Sequence, residues 1–247
     1  MTLSRYEKAP HPFVIEPPLE KKQVYGPDDE IIFNLILVGR AAEYLPYFIY
    51  SFDELGKKGI GSDRGKYELK KVFAITDSQP AYGNIIYSSE TKMLHRFETS
   101  NLCLAPEEMK SYTTSPLFIT LDFLTPVRIV YQGQLVLQLE FHILLRNLLR
   151  RLALLYYFHC DGDPSVINFK ALIEEASKVK VTESNLRWHD WERYSSRQDT
   201  KMKLGGFKGH ITFSGNLSEF TPYLNAGEVL HVGKGTTFGL GQYRIVS

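Results

Sequence analysis

Apolar positions along the chain change period several times, and each change marks an element. Residues 30–38, EIIFNLILV, form a continuous aliphatic and β-branched run bounded by Asp-Asp and Gly-Arg, which predicts a buried strand. Leu45, Phe48, Ile49, Phe52 and Leu55 then recur at helical spacing as one apolar stripe. Pro46 suits the first turn of that helix, and Gly56 suits its C-terminal stop. Residues 56–65, GKKGIGSDRG, hold four glycines in ten positions and read as loop. Residues 67–76 and 82–88 follow as strands around the turn 77–81, so this part of the chain reads β-α-β-β. Ahead of it, Pro10, Pro12, Pro17, Pro18 and Pro27 predict an extended arm, because each removes a donor and disfavours helix before it.

The order then starts again. Residues 117–124, LFITLDFL, predict a strand ended by Thr125-Pro126. Phe141, Leu144, Leu145, Leu148, Leu152, Leu155, Tyr156 and His159 keep one face over several turns, and Asp-Gly-Asp-Pro at 161–164 stops that helix. A second helical patch covers 165–178. Strands follow at 179–191 and 207–214 with a polar loop between, then a short helix at 217–230 and a final strand at 242–246. This half is β-α-β-β-α-β, the ferredoxin-like order. The chain is therefore read as α+β, two tandem ferredoxin-like (RRM-like) lobes, each on an antiparallel sheet. Lobe one covers 1–115 with its Pro-rich arm, and lobe two covers 116–247 with a glycine-rich segment near its end.

Composition narrows the classes without choosing one. The 247 residues are 43% hydrophobic and 23% charged, which excludes a disordered chain. Cys103 and Cys160 are too few for a disulfide scaffold and point to a reducing, cytoplasmic setting. Neither lies in a CxxC pair. His142, His159, His189, His210 and His231 show no paired ligand spacing, so no metal site is expected. No run is long and apolar enough to span a membrane, and the first residues lack a signal-peptide core, so no membrane partner is expected. The net charge of +1 argues against indiscriminate nucleic-acid binding. It is unevenly spread, however: six basic against two acidic residues lie between Lys57 and Lys71, and six against three between Arg187 and Lys208.

The segment 231–241, HVGKGTTFGLG, carries the most chemistry. A Walker A loop requires Gly-Lys-Ser/Thr at its end before a helix, whereas here Gly233-Lys234 comes first and Gly235 follows. A dinucleotide fingerprint requires a glycine where Phe238 stands, and a helix that the six remaining residues are too few to form. A plain glycine-rich turn is the bland alternative. An RNA-facing loop is the sharper one, since glycine N–H groups approach a phosphate closely and Lys234, Thr236 and Thr237 add a charge and hydroxyl donors.

With a strand directly after it, GxGxxxGxG resembles the signature loop of the RAMP (repeat-associated mysterious protein) superfamily. More narrowly, the chain resembles the CRISPR-associated endoribonucleases that process precursor CRISPR RNA. Tyr44 to Phe48 (YLPYF), Gly59 to Gly61, Arg64-Gly65, Phe123 to Pro126 (FLTP), Arg193 to Gln198 (RYSSRQ), Gly205 to Gly209 (GGFKG) and the terminal loop agree with that family in order. The resemblance implies two ferredoxin-like lobes, CRISPR repeat RNA as partner, a CRISPR effector complex as a further one, and no cofactor. It implies metal-independent cleavage in which a ribose 2′-OH attacks the adjacent phosphate, leaving 2′,3′-cyclic phosphate and 5′-OH ends. It also carries Gly233, Lys234, Gly235, Thr236, Gly239 and Gly241 over as RNA-contacting.

One departure shapes the choice of catalytic residues. The family commonly places a histidine at the end of the first helix, and here residues 30–75 contain none. Lys57 and Lys58 stand there instead, with Arg64 after them. A protonated lysine suits charge stabilisation or general acid chemistry better than base chemistry. Tyr44 and Tyr47, off the apolar stripe, suit stacking on a base, donation to phosphate, or core packing. His189, in Arg-Trp-His-Asp-Trp, suits a general base or a structural role. Arg193, Arg197, Lys201 and Lys203 suit the repeat's phosphates, or a solvated hairpin. His142, Arg146 and Arg150 read as a second basic stripe or as the wet face of their helix. A non-catalytic CRISPR RNA-binding subunit of the same fold is the alternative function.

Overall fold

The computed structural model describes residues 9–20, 22, 24–61, 63–76, 79–96, 116–195 and 200–246. The chain forms two compact units, Arg40–Cys103 and a larger one made of Met1–Gly39 with Leu104–Ser247.

In the larger unit, β1 (Phe13–Glu16) pairs antiparallel with β2 (Asn34–Leu37). The Pro-rich arm therefore contains a strand, and the strand expected at 30–38 is only its last part. Phe13–Glu16 lies between Pro12 and Pro17, a window just long enough for four paired residues, with Val14 and Glu16 turned inward. His159 Nε2 donates to the Pro10 carbonyl at 2.7 Å, which fastens the start of this hairpin.

The smaller unit holds α1 (Leu45–Lys58), then β3 (Lys71–Thr76) paired with β4 (Gln79–Ser88). The helix runs past Gly56 to Gly59, whose φ of +84° and N–H bond to the Leu55 carbonyl terminate it. Gly56 serves packing instead. A Cβ there would lie 2.4 Å from the Tyr67 carbonyl oxygen, and Tyr67 lies against the helix with its hydroxyl on the Phe52 carbonyl.

The rest of the larger unit has the elements expected of lobe two. β5 (Phe118–Val127) leads to a small hairpin, β6 (Val130–Tyr131) and β7 (Gln134–Leu135), and then to α2 (Phe141–His159). After α3 (Phe169–Ala176) come β8 (Lys180–Ser184), β9 (Arg187–His189), a hairpin of β10 (Glu192–Ser195) and β11 (Thr200–Lys203), β12 (Gly206–Ser214), α4 (Thr221–Leu230) and β13 (Tyr243–Val246). The main sheet runs β13-β5-β12-β8, so the last strand lies beside the first and the third beside the second, the arrangement of a ferredoxin-like lobe. The segment expected as a polar loop between β9 and β12 is itself the β10–β11 hairpin.

Alternation along β5 sends Ile119, Leu121, Phe123 and Val127 to one face, where they meet Leu144, Leu145, Leu148 and Leu155 of α2. Phe141 packs edge-on against Phe213 and Phe220 at centroid distances of 5.0 and 5.2 Å. Within α4, Gly227 allows a close approach: a Cβ there would lie 2.3 Å from Tyr243 Oη and 2.6 Å from Leu148 Cδ1. Gly227→Ala should therefore destabilise the chain by ~1–3 kcal/mol through overpacking, despite alanine's better helix propensity. A urea midpoint at or above wild type would show that this contact relaxes freely. No helix among the described residues is long and apolar enough to cross a membrane.

Candidate nucleic-acid interface

The glycine-rich segment is the best-defined part of the site, and its shape comes from left-handed glycines. Gly233, Gly235, Gly239 and Gly241 have φ of +91°, +77°, +80° and +72°. These are conformations that cost an L-residue ~1–2 kcal/mol each. The loop rests on the end of β5, which continues through Thr125-Pro126 to Val127 rather than stopping there. Gly241 N–H donates to the Pro126 carbonyl at 3.0 Å, and Lys234 N–H donates to the Arg128 carbonyl at 2.9 Å. Thr125 Oγ1 donates to the Gly239 carbonyl at 2.8 Å and accepts from Gln242 N–H at 2.9 Å. Pro126 is tolerated because the loop seeks its carbonyl, not a donor. The sequence reading treated the FLTP segment as a strand end and did not identify it as the seat of the loop.

This seating sorts the loop residues. Gly239 and Gly241 are buried, and their N–H groups bond the protein itself. Thr236 is buried as well, with 5% exposure. Lys234 is exposed. The N–H groups of Gly233, Gly235, Thr236 and Thr237 have no partner among the described residues, so a nest, if used, is formed there and not along the whole segment. Arg128, another residue that sequence reasoning passed over, links two parts of the site. Its carbonyl holds Lys234, and its Nη1 donates to the Gly205 carbonyl at 3.3 Å.

Beside it, β9 is an exposed edge strand in register with β12, with His189 opposite Gly206, Trp188 opposite Phe207 and Arg187 opposite Lys208. Directly opposed residues share a face and successive ones alternate, so His189, Arg187 and Lys208 form a basic group on one face. Trp188 and Phe207 form an edge-to-face pair on the other, 5.4 Å between centroids, with the indole N–H held by Asp190. Arg193 and Lys201 to Lys203 fall in the β10–β11 hairpin, with Arg193 opposite Met202, Lys201 opposite Tyr194 and Lys203 opposite Glu192. Arg197 lies outside the described residues.

His231 is not at the surface. It is fully buried, with Nε2 2.7 Å from Glu16 Oε1 and Nδ1 3.2 Å from the Leu240 carbonyl oxygen. Burial alone would raise the Glu16 carboxyl, but hydrogen bonds from His231 and Asn34 and the charges of His231 and Arg244 outweigh it and hold it below its usual value. Arg151, whose guanidinium is pushed down to about 10 by burial, donates from Nε to the Leu230 carbonyl at the end of α4. His142 packs edge-on to Tyr131, and Arg146 lies over the same ring, 5.8 Å from its centroid.

The remaining candidates belong to the smaller unit, on α1 and the loop after it. Lys57 Nζ lies 2.7 Å from Glu54 Oε1 and 2.9 Å from Asp53 Oδ2, and these two carboxylates hold its ammonium well above the usual lysine range. Lys58 is exposed and makes no ion pair among the described residues. Tyr44, Tyr47 and Tyr50 are all exposed, at 57%, 69% and 65%, so core packing is excluded for each. Tyr44 and Tyr47 are 6.0 Å apart between centroids. Eleven residues make almost whole turns of an α-helix, so Tyr47 and Lys58 share a face, about 16 Å apart along its axis, and Lys57 lies about 80° away. Arg64 is exposed at φ +53°, in a loop closed by the Ile60–Gly65 bridge.

Comparison with known proteins adds to this geometry. Residues 121–243 match the family model of the CRISPR-associated endoribonuclease Cas6, and residues 1–99 match a model described as an N-terminal domain. An uncharacterized protein of Archaeoglobus fulgidus is 26% identical over 241 residues, which span 96% of this chain and 73% of that protein. Among solved structures, a Cas6 product complex has a TM-score of 0.57 at 18% identity, covering 97% of this chain and 84% of the other. Thermus thermophilus Cas6 has a TM-score of 0.51 at 16% identity, covering 95% and 79%. A partial Cas6-RT-Cas1–Cas2 complex has a TM-score of 0.58 at 18% identity, covering 96% of this chain and 39% of the matched one. At these identities the likeness to solved structures is one of fold.

Proposed function

The chain belongs to the CRISPR-associated endoribonuclease Cas6 family, and from that premise we propose that it binds CRISPR repeat RNA and cuts it by metal-independent attack of a ribose 2′-OH on the adjacent phosphate. The 2′-OH gives its proton to a base and its oxygen bonds to phosphorus, while the bond from phosphorus to the 5′ oxygen breaks and that oxygen takes a proton, which yields a 2′,3′-cyclic phosphate and a 5′-OH. The observation that carries this reading is the glycine-rich loop, seated on the end of β5 with Lys234 exposed and the N–H groups of Gly233, Gly235 and Thr237 without a partner among the described residues. In this reading Lys234, the basic face of β9 and β12, and Arg193, Lys201 and Lys203 of the hairpin meet RNA phosphates. Lys58 stabilises charge at the scissile phosphate or protonates the leaving oxygen. Tyr44 and Tyr47 offer rings to unpaired bases.

The test is incubation of the purified chain with its repeat RNA in EDTA. One cut with cyclic-phosphate ends is expected, blocked by a 2′-deoxy substitution at the cut site. Lys234→Ala should weaken binding and flatten the log–log salt dependence by about 0.7, the value of one single-strand phosphate contact. Cleavage that requires a divalent metal, or that ignores the 2′-deoxy substitution, would overturn the mechanism.

A second reading, a non-catalytic RNA-binding subunit, has its own support. The end of α1 carries no histidine, and one of its two lysines is engaged by carboxylates of its own helix. Tight binding of the repeat with no product after long incubation would favour it. Solved neighbours that include a Cas6-RT-Cas1–Cas2 complex make a larger CRISPR assembly a reasonable partner to seek by co-purification.

A further inference from the structure

We infer that Glu16, on the N-terminal hairpin, is a positioning residue for the glycine-rich loop, which makes β1–β2 part of the RNA-binding apparatus. The inference rests on the RNA reading above and extends it to a segment that no motif marks.

Glu16 is 9% exposed, and its two oxygens receive three side chains. Oε1 meets His231 Nε2 at 2.7 Å and Gln242 Nε2 at 3.0 Å, and Oε2 meets Asn34 Nδ2 at 2.8 Å. His231 and Gln242 flank the segment 232–241 on either side. A single carboxylate oxygen therefore gathers both ends of the loop.

The hydrogen bonds also define which His231 nitrogen carries a hydrogen. The Leu240 carbonyl can only accept, so His231 Nδ1 donates to it. Nε2 is left to share one hydrogen with Glu16 Oε1, whose carboxyl, in spite of its burial, is held below its usual value by hydrogen bonds from His231 and Asn34. The two groups form a hydrogen-bonded pair with His231 fully buried and Glu16 nearly so. Such a pair repays its desolvation poorly as a source of stability, and its best-attested use is to fix register.

Two further features mark a position held under constraint. His231 sits at φ +62°, a left-handed conformation that a non-glycine residue keeps only where its surroundings impose it. The backbone of β1 also lies directly under the loop. A Cβ at Gly239 would lie 2.8 Å from the Ile15 carbonyl oxygen and 2.5 Å from Pro17 Cδ. The hairpin thus sets both the closure and the height of the loop that presents Lys234.

The experiment compares wild type, Glu16→Ala, Glu16→Gln, Lys234→Ala and the Glu16→Ala/Lys234→Ala double variant, all in the full chain. Amide exchange and repeat-RNA affinity are read on the folded fraction. In Glu16→Ala, residues 232–241 should exchange about tenfold faster while Phe141–His159 is unchanged, and RNA affinity should fall about tenfold. Glu16→Gln should restore most of both, because its amide can donate to a neutral His231 while its oxygen accepts from Asn34. The double variant should bind no more weakly than the worse single variant, since both act through one loop. Should Glu16→Ala not fold, Gln242→Ala, which removes one donor, should show the same pattern more weakly.

Wild-type loop exchange and wild-type RNA affinity in a folded Glu16→Ala chain would overturn the inference. So would exchange that rises evenly over loop and core. Wild type that binds repeat RNA, with Lys234→Ala weakened and Glu16→Ala unaffected, removes this inference alone. Wild type that binds no repeat RNA removes the RNA reading and this inference together.

Discussion

Replacing Gly241 with alanine should unseat the glycine-rich loop and abolish high-affinity RNA binding. Its φ of +72° costs alanine ~1–2 kcal/mol before any contact is considered. The added Cβ would then lie 1.8 Å from the Val232 carbonyl oxygen. That neighbour is backbone and is fixed, because Val232 N–H donates to the Gly241 carbonyl at 3.1 Å while Gly241 N–H donates to Pro126. Relief requires breaking one of these bonds inside the fold, a change of the overpacking kind worth ~1–3 kcal/mol more. Gly61 provides the control, since its φ is +77° and nothing lies within 4 Å of its Cβ position. Gly61→Ala should lower stability only by the conformational cost, with RNA affinity little changed. Urea unfolding and repeat-RNA titration of the two variants decide the matter, and equal stabilities would refute the steric argument.

Lys58→Ala should slow single-turnover cleavage by ~10²–10³-fold, the range of a lost acid or charge-stabilising group, while Lys57→Ala slows it by less than about fivefold. From sequence the two neighbours are equivalent. The helix separates them. Lys57 folds back onto Asp53 and Glu54, which engage its ammonium and hold it above the usual lysine range, so it is less available to a phosphate or as an acid. Lys58 shares its face with Tyr47 and has no such partner among the described residues. A larger loss in Lys57→Ala than in Lys58→Ala would reverse the assignment. A wild-type rate too slow to measure would favour the non-catalytic reading.

The elements legible in the sequence were those with a period of their own. The eight-residue stripe of α2 marks a helix from Phe141 to His159, and the structure has those limits. The β-α-β-β-α-β order of lobe two is likewise found, down to the strand order of its sheet. What escaped depends on distant partners. Phe13–Glu16 is four residues between prolines, too short to show alternation, and becomes a strand only because Asn34–Leu37 pairs with it. The β10–β11 hairpin is mostly polar, with only Tyr194 and Met202 to suggest strands, and so it reads as a polar loop with a solvated hairpin as the alternative. His231 was placed by motif beside the loop, but its burial is set by a carboxylate far away in sequence, which no local signal reveals. The N-terminal hairpin likewise belongs to the same compact unit as the C-terminal part, through contacts such as Glu16 to His231 that no local pattern reveals.

The carboxylate under the loop has a consequence for how the protein is made. Glu16 and His231 are 215 residues apart, and Glu16 and Gln242 are 226 apart. Contacts of such separation incur their loop-closure entropy late and slow the approach to the native state. During synthesis β1 leaves the ribosome well ahead of His231 and Gln242, which lie 215 and 226 residues after Glu16. Until then an apolar, edge-exposed hairpin waits without its cover, the kind of exposed surface that invites association with other chains. The loop and the hairpin are therefore completed in one closing step, when segments at least 215 residues apart have met.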